Sequence, residues 1–182
     1  MLAATLYAAK VHVKTGGEQA AKIPEGSTKG ARLVVLVDNN PYREGLETAW
    51  GLSAYVEAGG ARIFFDTGPD SAVLKRNAER LGVDLGRVDF AVASHAHGGH
   101  AGGLKLLAPL KPGLRVYMPP DEGLRRYVES LGLEPVRANS TVEVAKDVYV
   151  VKPLYGPPLE VALTIRTSGG RSCWSAAATQ ES

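Results

Sequence analysis

Three of the chain's four histidines fall within six residues, at His95, His97 and His100. In an extended loop, residues i and i+2 project to the same side, so His95 and His97 can bind one cation from adjacent directions. Neutral imidazole is the commonest ligand for zinc, and it also binds iron and manganese. Glycines at 98, 99, 102 and 103 let the backbone bend tightly and approach a ligand. This spacing predicts a divalent-metal site.

Two other interpretations of this segment stay open. The histidines could be surface residues in a flexible glycine-rich loop. However, they directly follow an apolar run at 88–93 that predicts a buried strand, and this position favours metal binding. Gly102 and Gly103 could form a phosphate cradle at a helix start, but no lysine, serine or threonine follows in P-loop register.

The surrounding sequence predicts the strands and helices that would position the loop. Gly59 and Gly60 predict a two-residue hairpin turn. Asp70 or Ser71 caps a helix that Gly82 ends, and a second helix is predicted between its Asp121 cap and Gly132. A further helix is predicted at 101–107, and strands are predicted at 32–37, 53–58, 61–65, 88–93, 114–118, 142–144, 148–151 and 161–165. Strands with interspersed helices indicate an α/β layered fold.

Composition excludes several classes of protein. The 182 residues are 45% hydrophobic and 22% charged, which is typical of a soluble globular domain. The formal net charge is only +2, so we expect no nucleic-acid partner and a small-molecule substrate. No apolar run reaches the roughly 20 residues that a membrane helix needs, so we expect no membrane partner. A single cysteine, Cys173, indicates the reducing cytoplasm, and the scarcity of thermolabile residues indicates a heat-adapted source.

The chain divides into three parts by composition. Residues 1–30 are mostly polar and are expected to be an N-terminal appendage, or the product of a start codon placed too early. Residues 31–170 carry the predicted elements and are expected to form one domain. Residues 171–182 show no periodicity, turn chemistry or capping pattern, and are expected to be an aberrant tail.

The histidine segment resembles the His-x-His-x-Asp-His motif of the metallo-β-lactamase superfamily, with Ser94 before it and Ala-Gly-Gly-Leu after it. Residues 63–68, Ile-Phe-Phe-Asp-Thr-Gly, resemble the superfamily's strand and Asp-Thr-Gly turn. Residues 37–39 and 50–53 are similar to one branch, the archaeal dihydropterin synthase-like proteins of the methanopterin pathway. The resemblance spans about residues 32–170.

This resemblance implies an αββα sandwich of which the N-terminal half to two-thirds is present. It also implies that His95 and His97 bind a first metal ion and His100 a second, with zinc or another divalent metal as the cofactor. Asp66 would lie beneath the site and orient the loop by hydrogen bonding; from the sequence alone it is equally a turn-capping residue. The implied reaction is attack of a metal-bound hydroxide on a small phosphoester, cyclic ester or pterin-type substrate.

The chain departs from the family motif at Gly99, where the motif has an aspartate ligand. No histidine follows His100, although the family places further ligands later in the chain. Zinc enzymes usually hold three protein ligands and a water molecule, so neither ion keeps a full set. Activity is therefore expected to be impaired, and Gly99→Asp is expected to improve metal binding without restoring turnover. The alternative is a catalytically inactive, truncated domain that self-associates or binds a partner.

The tail suggests why the later ligands are missing. Permitted codons for Ser172 to Ser182, read two bases later, encode Leu-Leu-Val-Gly-Cys-Ser-His-Pro-Gly-Val. The family places a buried strand and a Gly-Cys-Ser-His turn at this position. We therefore expect a change of reading frame near Gly170. The shortened second sheet would leave an apolar face and a free edge, which predicts a homo-oligomer with Trp174 in its interface.

Overall fold

Two β-sheets packed face to face form the centre of the computed structural model, which describes residues 30–41, 44–154, 158–167 and 170–174. The first sheet contains six strands in chain order. Its first three strands are antiparallel to one another, and its third to sixth strands are parallel. These strands are β1 (Arg32–Val37), β2 (Ser53–Ala58), β3 (Ala61–Thr67), β4 (Phe90–Val92), β5 (Arg115–Met118) and β6 (Glu134–Arg137).

The second sheet is antiparallel throughout, and neighbouring strands are consecutive in the chain. Its order is β10-β9-β8-β7. Its strands are β7 (Val142–Ala145), β8 (Val148–Leu154), β9 (Glu160–Thr167) and β10 (Gly170–Trp174). The predicted strands at 142–144, 148–151 and 161–165 are therefore confirmed.

Four helices connect the strands of the first sheet. Helix α1 begins after Asp70, whose side chain accepts hydrogen bonds from two backbone N–H groups, and ends at Gly82 in the left-handed conformation (φ 68°). The last helix begins after Asp121, whose side chain accepts a hydrogen bond from the Leu124 N–H. The four are α1 (Ser71–Leu81), α2 (Gly98–Ala101), α3 (Leu104–Leu110) and α4 (Glu122–Ser130). None of the helices in the described ranges combines the length and hydropathy needed to cross a bilayer.

Each face of the first sheet covers its own apolar core. One core lies between the sheet and the helices and includes Phe64, Leu74 and Leu107. The other lies between the two sheets, where Phe65 of β3 packs with Val150 and Leu163 of the second sheet. All of these side chains are almost completely buried. The arrangement confirms the α/β class. One layer of helices, the first sheet and the second sheet are stacked in that order, as in a metallo-β-lactamase-like sandwich.

The helix predicted at 101–107 is confirmed over residues 104–107, but the structure divides the segment between α2 and α3. The break lies at Gly102 and Gly103, where the chain passes close to the end of β3. A Cβ atom on Gly103 would lie 2.1 Å from the carbonyl oxygen of Thr67, far inside contact distance. Glycine allows this approach, which holds the histidine segment against β3.

The strand predicted at 32–37 is confirmed as β1, which lies at the sheet edge with Val35 43% exposed, and two further strands were not predicted. β6 was not predicted because it contains Pro135, which is compatible with its position at the sheet edge. β10 was not predicted either; its backbone pairs with β9 over residues 170–174, of which 171–174 belong to the expected aberrant tail.

The second sheet was expected to expose an apolar face. This expectation is wrong for the face that packs on the first sheet. Val148, Val161 and Ile165 are completely buried against the first sheet. Four strands are therefore enough to cover the opposing core.

Candidate metal centre

The histidine loop leaves the first sheet at the carboxyl end of β4. Both sheets hold its first residues: the Ala93 N–H donates to the carbonyl of Tyr117 in β5, and the Ser94 carbonyl accepts from Val161 N in β9. Ligand sites of parallel sheets usually lie at this edge, beyond the carboxyl ends of the strands. The loop therefore begins from a rigid base, which fixes the position of His95.

Asp66, near the end of β3, is the hub beneath the loop. Its side chain is completely buried, and its backbone has a positive φ of 56°, a conformation that Asp tolerates better than most residues. Oδ1 accepts from the Ser94 N–H at 2.7 Å, and Oδ2 lies 2.8 Å from both Ser94 Oγ and His100 Nδ1. Burial raises the pKa of the Asp66 carboxyl above its ordinary value, and the contacts with His100 and Ser94 only partly oppose this shift. Asp66 thus holds the loop at two places, Ser94 and His100.

The three imidazoles of the loop lie together. The ring centroid of His95 is 4.8 Å from that of His97 and 4.1 Å from that of His100. His95 is completely buried, whereas His97 is exposed. Desolvation, together with the nearby His100 and His97, lowers the pKa of His95 to about 4. His95 is therefore neutral at pH 7, which is the form that binds metals.

One buried atom of this cluster lacks a hydrogen-bond partner. His95 Nε2 is buried and has no hydrogen-bond partner, the single such side-chain atom found in the described ranges. Buried polar groups are nearly always paired, so an unpaired one requires an explanation such as an ion. Within the same ranges, however, no group of three or more His, Cys, Asp or Glu side chains is arranged as a metal site. The cluster fits a metal ion in part, with imidazole donors and no carboxylate.

Gly99 leaves no room for the missing acid without a backbone adjustment. A Cβ atom on Gly99 would lie 3.0 Å from the carbonyl oxygen of Trp50, and one on Gly51 would lie 2.0 Å from the carbonyl oxygen of Gly99. The Leu52 N–H also donates to the Gly99 carbonyl, at 3.3 Å. The Trp50–Gly51 backbone therefore packs directly on the position where the family motif has its aspartate.

A cleft of about 530 Å³ lies next to the histidine loop. Ala96 and Gly98, on either side of His97, form part of its wall. Lys105, Asp121 and Tyr127 line it as well, together with small and apolar residues. The cleft thus offers one cationic group, one carboxylate and an apolar surface beside an exposed imidazole.

Sequence reasoning missed two contributors to this site. Ser94 was noted only as a flanking residue, yet its hydroxyl lies 2.9 Å from His95 Nδ1. Thr67, one residue after Asp66, donates its hydroxyl hydrogen to the His100 carbonyl at 3.2 Å. Both are small polar residues at the ends of buried strands, which is the signal that could have identified them.

Solved structures of similar fold cover several activities. The chain is 16% identical to an N-acyl homoserine lactone hydrolase with product bound at its catalytic metal centre, with a TM-score of 0.55 and coverage of 81% of this chain and 74% of that one. For the short form of human tRNase Z the corresponding values are 16%, 0.52, 79% and 68%. For a diphosphatase of the PhnP family they are 18%, 0.57, 76% and 63%. At these identities the likeness shows the fold alone.

A comparison with curated proteins gives no match. The family model described as "Metallo-beta-lactamase superfamily" matches residues 51–167. This range includes Asp66, the histidine loop and strands of both sheets, and it is more than half of the chain. The chain therefore belongs to the metallo-beta-lactamase superfamily.

Proposed function

We propose that this protein is a metal-dependent, hydrolase-like member of its superfamily that binds zinc or another divalent metal, with His95 and His97 as ligands of a first ion and His100 at the position of a second. The unpaired, buried Nε2 of His95 carries this proposal, because it lies among two further imidazoles. The absence of a carboxylate at position 99 argues for weak metal binding and impaired activity.

Once bound, a divalent ion supplies Lewis acidity and lowers the pKa of coordinated water. The protein's own residues orient the ligands and bind the substrate. Asp66 fixes the ring of His100, and the cleft beside His97 accommodates a small molecule, with Lys105 and Asp121 as the charged groups of its lining. A small phosphoester, cyclic ester or pterin-type compound suits these features. The Val37–Asn39 and Trp50–Ser53 segments favour the dihydropterin synthase-like branch.

Zinc binding tests the proposal directly. In equilibrium dialysis, the wild-type chain should bind zinc. Loss of a residue that only supports a metal ligand lowers the affinity about tenfold, so His95→Asn, which removes a ligand, should lower the zinc affinity further. His97→Asn should do the same without a folding defect, because His97 is exposed. His12→Asn is the matched control, since His12 is the histidine outside the loop. Equal affinities for all four proteins would refute the assignment.

The second candidate is a catalytically inactive domain, and the contact between Gly99 and the Trp50–Gly51 backbone favours it. That contact occupies the approach to a missing ligand. A wild-type chain that retains no zinc would establish this alternative. Sequencing the coding DNA through Gly170 tests the associated proposal of a changed reading frame.

We further propose a cytoplasmic homo-oligomer, based on the single cysteine and on strand β10. Within the described ranges, β10 pairs with β9 on one side and is the last strand of its sheet. Edge strands favour pairing with another chain. Light scattering at low micromolar concentration should give at least the mass of a dimer, whereas a monomer mass would contradict the proposal.

A further inference from the structure

A continuous hydrogen-bonded path leads from Asp66 through Ser94 to His95. Ser94 Oγ lies 2.8 Å from Oδ2 of Asp66 and 2.9 Å from Nδ1 of His95. All three side chains are completely buried. Their mutual contacts therefore determine where the hydrogen atoms lie.

The positions of those hydrogens follow from the donor and acceptor capacities of the groups. Asp66 Oδ1 accepts from the Ser94 N–H, and the geometry at Oδ2 likewise makes it the acceptor of the single hydroxyl hydrogen of Ser94. Ser94 Oγ can then only accept from His95, which requires a hydrogen on His95 Nδ1. A neutral imidazole carries one such hydrogen, and Nε2 of His95 is left with a bare lone pair.

The same argument applies to His100 without an intermediate. Its Nδ1 lies 2.8 Å from Asp66 Oδ2, so the carboxylate fixes the hydrogen on Nδ1 and leaves Nε2 bare. One buried carboxylate thus sets both rings, directly for His100 and through a hydroxyl for His95. His95 Nε2 makes no hydrogen bond that would oppose this assignment.

We infer that Ser94 is a positioning residue. Its hydroxyl donates to Asp66 and accepts from His95 Nδ1, and it thereby holds the His95 ring with a bare Nε2 that can bind a divalent cation. The inference rests on the proposed function for the role of the cation. The tautomer itself is a property of the metal-free protein, and it can be measured without zinc or substrate.

The first experiment uses the metal-free wild-type chain with ¹⁵N-labelled histidine at pH 7. Long-range ¹H–¹⁵N correlation spectra distinguish protonated from bare ring nitrogens, and single His→Asn variants assign the four rings. His95 and His100 should both be protonated on Nδ1 and bare on Nε2. A His95 ring protonated on Nε2 overturns the inference without any change to Ser94.

The second experiment compares Ser94→Ala with Ser53→Ala. Both serines are completely buried, and Ser53 Oγ donates to the backbone carbonyl of the same Asp66 at 3.0 Å. Ser94→Ala should shift His95 toward the Nε2-protonated tautomer and weaken zinc binding by about 10- to 100-fold. Ser53→Ala should leave the tautomer unchanged, even where thermal unfolding shows a similar loss of stability.

A purely structural role for Ser94 predicts a different result. Both variants would then be destabilised alike, and His95 would keep its Nδ1 hydrogen in each, which would overturn the inference. The same experiments distinguish failure of this inference from failure of the proposed function. If the wild-type rings show the expected tautomers but bind no zinc, the hydrogen-bonded path stands and the metal proposal falls.

Discussion

Asp66→Ala should lower the free energy of unfolding by about 3–5 kcal/mol, a large part of the stability of a typical domain. Alanine leaves two buried donors, the Ser94 N–H and the Ser94 hydroxyl, and the partly buried His100 Nδ1 without their acceptor. It also places a side chain without a polar group at a φ of 56°, which L residues other than Asp and Asn tolerate poorly. The histidine loop should lose its fixed position.

Asp66→Asn separates the folding role of Asp66 from its effect on zinc. Asparagine tolerates the positive φ and keeps one acceptor, so the loss of stability should be clearly smaller. Its amide, however, can donate to His100 Nδ1, which moves the ring hydrogen to Nε2 and removes a ligand lone pair. We expect zinc affinity to fall for Asp66→Asn by about 10- to 100-fold.

Urea unfolding followed by circular dichroism, together with zinc dialysis, measures both effects. Asp70→Ala is the control, because Asp70 also accepts two backbone N–H bonds but lies on the surface. Its loss of stability should be much smaller, and its zinc affinity should be unchanged. An unfolding free energy for Asp66→Ala close to that of Asp70→Ala would show that Asp66 is not the hub.

The fold was largely predictable because its signals are local. Asp70 and Gly82 mark the ends of α1 by capping chemistry, and Gly59 and Gly60 form the predicted turn with positive φ at both residues. β6 and the division between α2 and α3 were not predictable in this way. Pro135 conceals an edge strand, and the break at Gly103 depends on contact with Thr67, which is distant in sequence.

The sequence predicted which residues form the candidate site but not which hydrogen bonds join them. The spacing of His95, His97 and His100 indicated a cluster, and the three rings do lie together. Nothing in the spacing shows that Ser94 connects Asp66 to His95, because that contact requires the carboxyl ends of β3 and β4 to be adjacent. Nor could the sequence show that the Trp50–Gly51 backbone approaches position 99.

That contact makes Gly99 the position where ligand chemistry and packing oppose each other. Gly99→Asp supplies a carboxylate at the position of the family's aspartate. A residue that only supports a ligand changes metal affinity about tenfold, so this direct ligand should raise the zinc affinity by at least that factor. Its Cβ atom would lie 3.0 Å from the carbonyl oxygen of Trp50, so the backbone must shift, at a cost of about 1–3 kcal/mol. Turnover should stay below that of a complete site, since no later histidine is present.

Two control variants separate these effects. Gly99→Ala carries the same Cβ atom without a carboxylate, so it should lose similar stability and gain no zinc affinity. Gly98→Asp adds the same charge one residue earlier, where a Cβ atom meets nothing within 4 Å, so it should fold normally and not bind zinc more tightly. Equilibrium dialysis and urea unfolding on the four proteins measure both quantities. If Gly99→Asp binds zinc with unchanged affinity and stoichiometry, position 99 is not a ligand position in this chain, and the imidazoles alone determine what the site can hold.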